Sequence, residues 1–211
     1  MILEKGMIMI KNNNLEITFK SPNPDLEIEK NKNENSDYLM NVVPNISFKI
    51  NIKNKSKYHK IISVFIDGVN IFDRTISLDE YLNNPDKNKF INGYGIIKPT
   101  DEVVVDGYKN DDGYNSFIIN DDPKNSEAVY ITGEDNKHLG YIDIFSRTGN
   151  VVKQNNSSSK DFTLSAMTVK LGNEIDLMDY NRMSLLSNFK NKPDLNLDPH
   201  ERVRISLRLK T

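Results

Sequence analysis

ISFKINIK at residues 46–53 and KIISVFIDGVNIF at residues 60–72 decide the fold class. In the first stretch Ile46, Phe48, Ile50 and Ile52 alternate with Ser47, Lys49, Asn51 and Lys53, the period-two pattern of a strand with one buried and one wet face. In the second, Ile61, Ile62, Val64, Phe65 and Ile66 leave no polar face, which predicts a central strand covered on both sides. Asp67-Gly68 then favours a tight turn, with Val69, Ile71 and Phe72 as the hairpin return.

The same pattern extends outward. Leu15, Ile17 and Phe19 alternate with Glu16 and Thr18; Val203, Ile205, Leu207 and Leu209 alternate with Arg202, Arg204, Ser206, Arg208 and Lys210. Short strands are predicted at Tyr94 to Ile97, Val103 to Val105 and Phe117 to Ile119, separated by Pro99, Gly107 and Gly113. Leu139 to Phe145 has little polar character and should lie inside a sheet. Ser77 and Glu80 have capping-box spacing before Tyr81 and Leu82, so one or two helical turns are expected in a short insertion spanning 75–92, ended by Pro85.

Residues 148–161, containing QNNSSSK, have almost nothing to bury and predict a mobile loop. Phe162 to Thr168 suggests another strand, and Ile175 to Phe189 fits an amphipathic helix or, preferably, two strands. Many short strands with Gly, Pro and Asn turns predict a single all-β domain over 1–211, a β-sandwich or jelly-roll-like fold with at most one or two short helices.

Composition narrows the function classes. A hydrophobic fraction of 37% with 9% aromatic residues is enough for one core in 211 residues. Lys plus Arg is 28 against Asp plus Glu 30, so no global field draws the chain to nucleic acid or a membrane. Without cysteine, disulfides, thiol chemistry and Cys-based zinc sites are excluded. The opening MILEKGMIMIKNNN lacks the apolar run of a signal peptide, which predicts a cytoplasmic or virion location without classical secretion. Glycosylation spacing at Asn45, Asn54, Asn155 and Asn156 is then chance in an Asn-rich chain, whose Asn and Lys usage resembles coding in an AT-rich genome.

INIKNKSKYHKIISVFIDGVNI, GYGIIKPTDEVVVDGY, NSFII and LGYIDIF together resemble a family of uncharacterised β-rich proteins of bacteria, phages and large DNA viruses. Its pattern is a hydrophobic strand closing on an Asp-Gly-x-Asn turn, followed by Gly-Tyr and Pro-centred turns. The resemblance covers residues 45–145, with LGNEI and RVRISLRL as looser continuations, and departs in a long Ser77 to Asn92 segment. It implies no catalytic motif and no established activity.

Local constellations are weak. His59, His138 and His200 lack metal-pair spacing and read as separately solvated side chains. Asp101, Glu102, Asp106, Asp111, Asp112, Asp121 and Asp122 could line a calcium loop, but DGYKNDDG places Tyr108 where an oxygen ligand is needed, so solvated hairpin turns are the better reading. A glycosidase carboxylate pair drawn from the same acids is weaker still. Gly-Tyr pairs could gather Tyr94, Tyr108, Tyr114 and Tyr141 into a sugar or peptide platform, against the simpler role of anchoring strand ends.

Arg202, Arg204, Arg208 and Lys210 form one cationic face, read as a solvated stripe discouraging aggregation before a docking stripe for an acidic partner or nucleic acid, the chain having no basic excess to favour the latter. Asp67, Gly68, Asn70, Gly93 and Gly107 are expected at structural turns. The leading expectation is a non-enzymatic structural or protein-interaction protein of the kind found in virus and phage particles, partnered by itself or other subunits. No cofactor or metal is expected. The alternative is a ligand-binding β module, for carbohydrate or calcium, built on the Tyr and Asp turns.

Overall fold

The computed structural model describes residues 7–12, 14–22, 27–31, 35–84, 93–110, 113–122, 126–133, 135–149 and 201–210. In chain order the strands begin with β1 (Met7–Asn12), β2 (Leu15–Lys20), β3 (Glu27–Lys30), β4 (Tyr38–Val42), β5 (Lys49–Asn54), β6 (His59–Ile66) and β7 (Val69–Asn70). Helix α1 (Leu78–Asn83) precedes β8 (Gly95–Ile97), β9 (Glu102–Val105), β10 (Gly107–Asn110) and β11 (Gly113–Ser116). Helix α2 (Glu127–Thr132) precedes β12 (Tyr141–Gly149) and β13 (Glu201–Leu209).

These strands make two main sheets and a hairpin, an all-β, sandwich-like arrangement. One sheet has the order β1-β2-β5-β9; the larger runs β3-β4-β13-β12-β6-β7, with β8 also on β6. Every pairing is antiparallel except β13 with β4, where Ile205 lies beside Tyr38 and Leu209 beside Val42. The sheets share one apolar layer: Ile17, Phe19, Ile50, Ile52 and Val103 from the smaller pack with Met40, Ile62, Val64, Ile142, Ile144, Val203 and Ile205 from the larger. Each fully buried aliphatic contributes about 1.5–3 kcal/mol, and alternation alone is enough to direct these side chains inward.

The larger sheet buries part of its outer face too. Ile61 and Phe65 of β6 and Phe145 of β12 meet Leu78 and Tyr81 of α1, with Tyr94 and Ile96. This second layer explains why β6 has no polar face. Ser77 caps α1 as the spacing predicts, its hydroxyl accepting the Glu80 amide at 3.2 Å.

Several expectations are corrected. Gly107 and Gly113 begin strands of a hairpin, Gly107 beside Ser116, instead of separating strands. Phe117 to Ile119 contributes one isolated bridge, Ser47 to Ile118, flanked by main-chain bonds to Phe48 and Ile46, instead of a full strand. β1, β3, β4 and α2 come from segments in which no element was predicted. Thr148 and Gly149 extend β12, paired to β6, where a mobile loop was expected. The remainder of that loop and the segments at 162–168 and 175–189 lie outside the described residues, as does much of the 75–92 insertion.

Candidate functional site

β13 pairs with β12 over Glu201 to Ser206 and with β4 over Ile205 to Leu209, and because β4 starts only at Tyr38, Glu201 to Arg204 extend beyond it. A cleft of about 1160 Å³ opens there. Lys30, Asn31, Asn35, Ser36, Asp37 and Tyr38 form one wall; Glu201 to Arg204 form the other, with Lys137, His138 and Tyr141 beside them and Asn12 at the end.

Asp143 of β12 lies beneath this wall with no exposed surface. Arg202 Nε donates to its Oδ1 at 2.7 Å, while Arg204 Nε is 3.6 Å away, an ion pair too long for a hydrogen bond. Both guanidiniums cover aromatic rings: Arg202 is 5.4 Å from the Phe145 centroid and Arg204 is 3.9 Å from that of Tyr141. Asp143 Oδ2, Arg202 Nη2 and Arg204 Nε are buried without hydrogen-bond partners among the described residues.

Arg204 Nη2 also lies 3.0 Å from His138 Nδ1, and His138 Nε2 is 3.2 Å from Asp79 Oδ1. A guanidinium can only donate, so Nδ1 accepts and the ring proton of this arrangement sits on Nε2, facing Asp79. Asp79 also takes Lys137 at 2.9 Å; hydrogen bonds from Lys137 first, and from His138, hold its carboxyl below the usual value.

The Asp67-Gly68 turn positions His138. Asp67 at φ 52° and Gly68 at φ 78° both enter the left-handed region, as a tight hairpin requires. Asp67 Oδ1 accepts the Gly140 amide at 2.7 Å, and its carbonyl accepts Asn136 Nδ2 at 2.7 Å. Asn136 Oδ1 in turn receives the His138 amide at 2.8 Å. His138 is 6% exposed, correcting its reading as a solvated histidine. His59 is half-buried, and burial followed by the charge of Lys98 lowers its pKa. His200 lies outside the described residues.

Tyr94, Tyr108 and Tyr141, the three of the four tyrosines whose side chains are described, do not form a platform. Tyr94 is 1% exposed in the outer layer, edge-on to Tyr81 and beneath Arg147, so it anchors the core. Tyr108 packs near Phe117, at 6.3 Å between centroids, under Arg74. Tyr141 lines the cleft. Tyr114 lies on β11, and its side chain falls outside the described residues.

The cationic face also divides. Arg202 and Arg204 enter the cleft, whereas Arg208 bonds Asn41 at 2.9 Å and pairs with Glu29 at 3.5 Å. Lys210 pairs with Glu27 at 3.5 Å. The solvated stripe expected from the sequence is therefore corrected for Arg202 and Arg204, which are partly buried against Asp143, while Arg208 and Lys210 stay exposed; every one of the four cations faces an acid.

Among the turn residues, Asn70 is fully buried; its amide donates to Gly93 O at 3.0 Å, and its Oδ1 accepts from Phe72 and Asp73. Among the candidate calcium acids, Asp106 is taken by Lys49 at 3.1 Å and Glu102 faces Lys53 at 3.9 Å. Asp111 and Asp112 lie outside the described residues, among which no group of three metal-binding side chains occurs.

Asp143 and His138 were missed as site residues. Asp143 left one signal, a lone charge inside the apolar strand LGYIDIF, which calls for a buried cation. His138 left none, because its neighbours come from distant segments. Comparison of the chain with protein-family models, curated proteins and solved structures gives no match.

Proposed function

We propose that the protein is a non-enzymatic interaction module whose cleft receives an acidic group of a partner protein. The observation that carries this reading is the arginine pair on Asp143: two guanidiniums share one buried carboxylate, so the pair carries one positive charge beyond the acid it shares. A buried charge without its full complement attracts a counter-group far more strongly than a solvated one.

The remaining charges support the assignment. Asp37 is engaged by the Arg204 amide at 2.7 Å, and Glu201 faces Lys60 at 3.9 Å and Ser146 at 3.5 Å. Lys30, on the opposite wall, has no ion pair among the described residues. The Arg204 amide is a neutral donor, so Asp37 keeps its charge; even so, Lys30, Arg202 and Arg204 outnumber Asp37 and Asp143 by one. Planar guanidiniums held on aromatic faces keep a fixed orientation, so their remaining N–H groups are preorganised to meet an entering carboxylate.

The test is titration of isotope-labelled protein with N-acetylglutamate and its neutral glutamine counterpart, following the Nε–H signals of Arg202 and Arg204. Saturable shifts with the acid alone are expected. Identical responses to acid and amide would sink the reading.

A further inference from the structure

The edge of β13 carries a main-chain feature beyond the arginines. Arg204 directs both main-chain groups away from β12: its N–H donates to Asp37 Oδ2 at 2.7 Å and its C=O accepts the Asp37 amide at 2.8 Å. In a strand the main-chain groups two residues apart point the same way. The N–H and C=O of Arg202 therefore face the cleft as well, where β4 has already ended and no described residue takes them.

An unpaired strand edge is a template for an added strand, and pairing supplies affinity while alternate side chains supply specificity. Here the alternation is set by the wall itself. Arg202 and Arg204 lie on the outer face of the sheet, and Val203, between them, lies on the core face. We infer that the partner group is part of an extended segment that adds to β13 at Arg202, up to the point where Asp37 occupies the edge beside Arg204, with an acidic residue facing the arginine side of the wall and small apolar residues on the side of Val203. This inference rests on the acidic-group reading above and adds its geometry: one main-chain ladder step together with charge complementarity. Tyr38 and Tyr141, both half-buried in the walls, provide apolar flanks for the segment.

The probe is the peptide acetyl-Val-Glu-Val-Glu-Val-amide, compared with the same peptide N-methylated along its backbone and with N-acetylglutamate. Strand addition predicts that the parent peptide binds about tenfold more tightly than the N-methylated one, the effect of about 1.4 kcal/mol lost with main-chain hydrogen bonds. It also predicts rapid hydrogen exchange of the Arg202 amide in the free full-length protein and protection on binding. Equal binding of both peptides, with N-acetylglutamate still shifting the arginines, would overturn strand addition and leave the acidic-group reading intact. Failure of all three probes would overturn both. Slow exchange at Arg202 before any peptide is added would show the edge already occupied, by this chain or a second copy, and would overturn the inference too.

Discussion

Asp143 takes its hydrogen bond from Arg202, at 2.7 Å, although the residue registered directly across from it on β13 is Arg204. The diagonal contact leaves the opposed arginine at 3.6 Å, free to span Asp143, Tyr141 and His138 together. One buried carboxylate thus organises two cations unequally: Arg202 is its hydrogen-bonded partner, and Arg204 joins it to the cleft wall.

Asp143→Ala should destabilise the protein by about 3–5 kcal/mol, because it strands two largely buried guanidiniums without their counter-charge. Asp143→Asn, which preserves volume and one acceptor, should cost less. Urea midpoints at constant slope measure both. A loss under about 1 kcal/mol for the alanine variant would mean that the arginines find other partners without strain.

Arg202→Gln and Arg208→Gln should differ sharply even though both sit on one face of β13. Arg202 leaves a buried carboxylate without its short hydrogen bond, whereas the side chains of Arg208 and Glu29 are 58% and 62% exposed. Exposed pairs contribute about 0–1 kcal/mol, so thermal melts should separate the variants clearly, with Arg208→Gln near the parent. Similar melting temperatures would return the four cations to a common solvated role.

The carboxyl of Asp67 titrates above its ordinary value because burial outweighs the hydrogen bonds from Gly140 and Ser126. The folded chain holds this proton more tightly than the unfolded one. Its contribution to stability is therefore fully present below the unfolded value and is lost as pH rises through the raised folded value. Asp67→Asn keeps an acceptor for Gly140 and tolerates the left-handed backbone, so its stability relative to the parent should improve as pH rises from below 3.8 into the neutral range. Denaturation at several pH values checks the slope; a constant difference would show that Asp67 does not titrate on folding.

Gly93→Ala should be destabilising by about 1–3 kcal/mol. An added Cβ would stand 2.8 Å from Ile76 Cδ1 and 3.0 Å from Asn70 Nδ2, disturbing the amide that holds the Gly93 carbonyl. Calorimetry of the single variant and of Gly93→Ala with Ile76→Val separates the causes, because the smaller partner should restore part of the loss if crowding is responsible.

The sandwich was legible because its central strands write their burial into their spelling. Ile61 to Ile66 is apolar on both faces since each face meets a layer, and Ile50 and Ile52 alternate since only one does. β3 and β4 were not legible. EIEK and YLMNV are short and mixed, and β4 is fixed by a parallel neighbour from the far side of the sequence. The cleft was half legible: Arg202, Arg204 and Tyr141 stood out as types, but their common partner Asp143 and the approach of His138 depend on register. Helix α2 escaped notice because six residues with Tyr130 and Ile131 exposed show no helical stripe.

The parallel contact between Tyr38–Val42 and Ile205–Leu209 has a consequence for how the polypeptide is made. During vectorial synthesis β4 emerges long before the strand it must lie against, and until β13 arrives both it and β12 present one unpaired edge to other nascent chains. The hairpin of β1 with β2 and its addition to β5 can form early from neighbouring segments, while closure of the larger sheet awaits a contact of very high sequence separation. Such closure is slow and exposed to mispairing. Ribosome-stalled intermediates ending before Glu201 are therefore the species on which a chaperone would act, and the arrival of the nine-residue β13 is the step that closes those two edges.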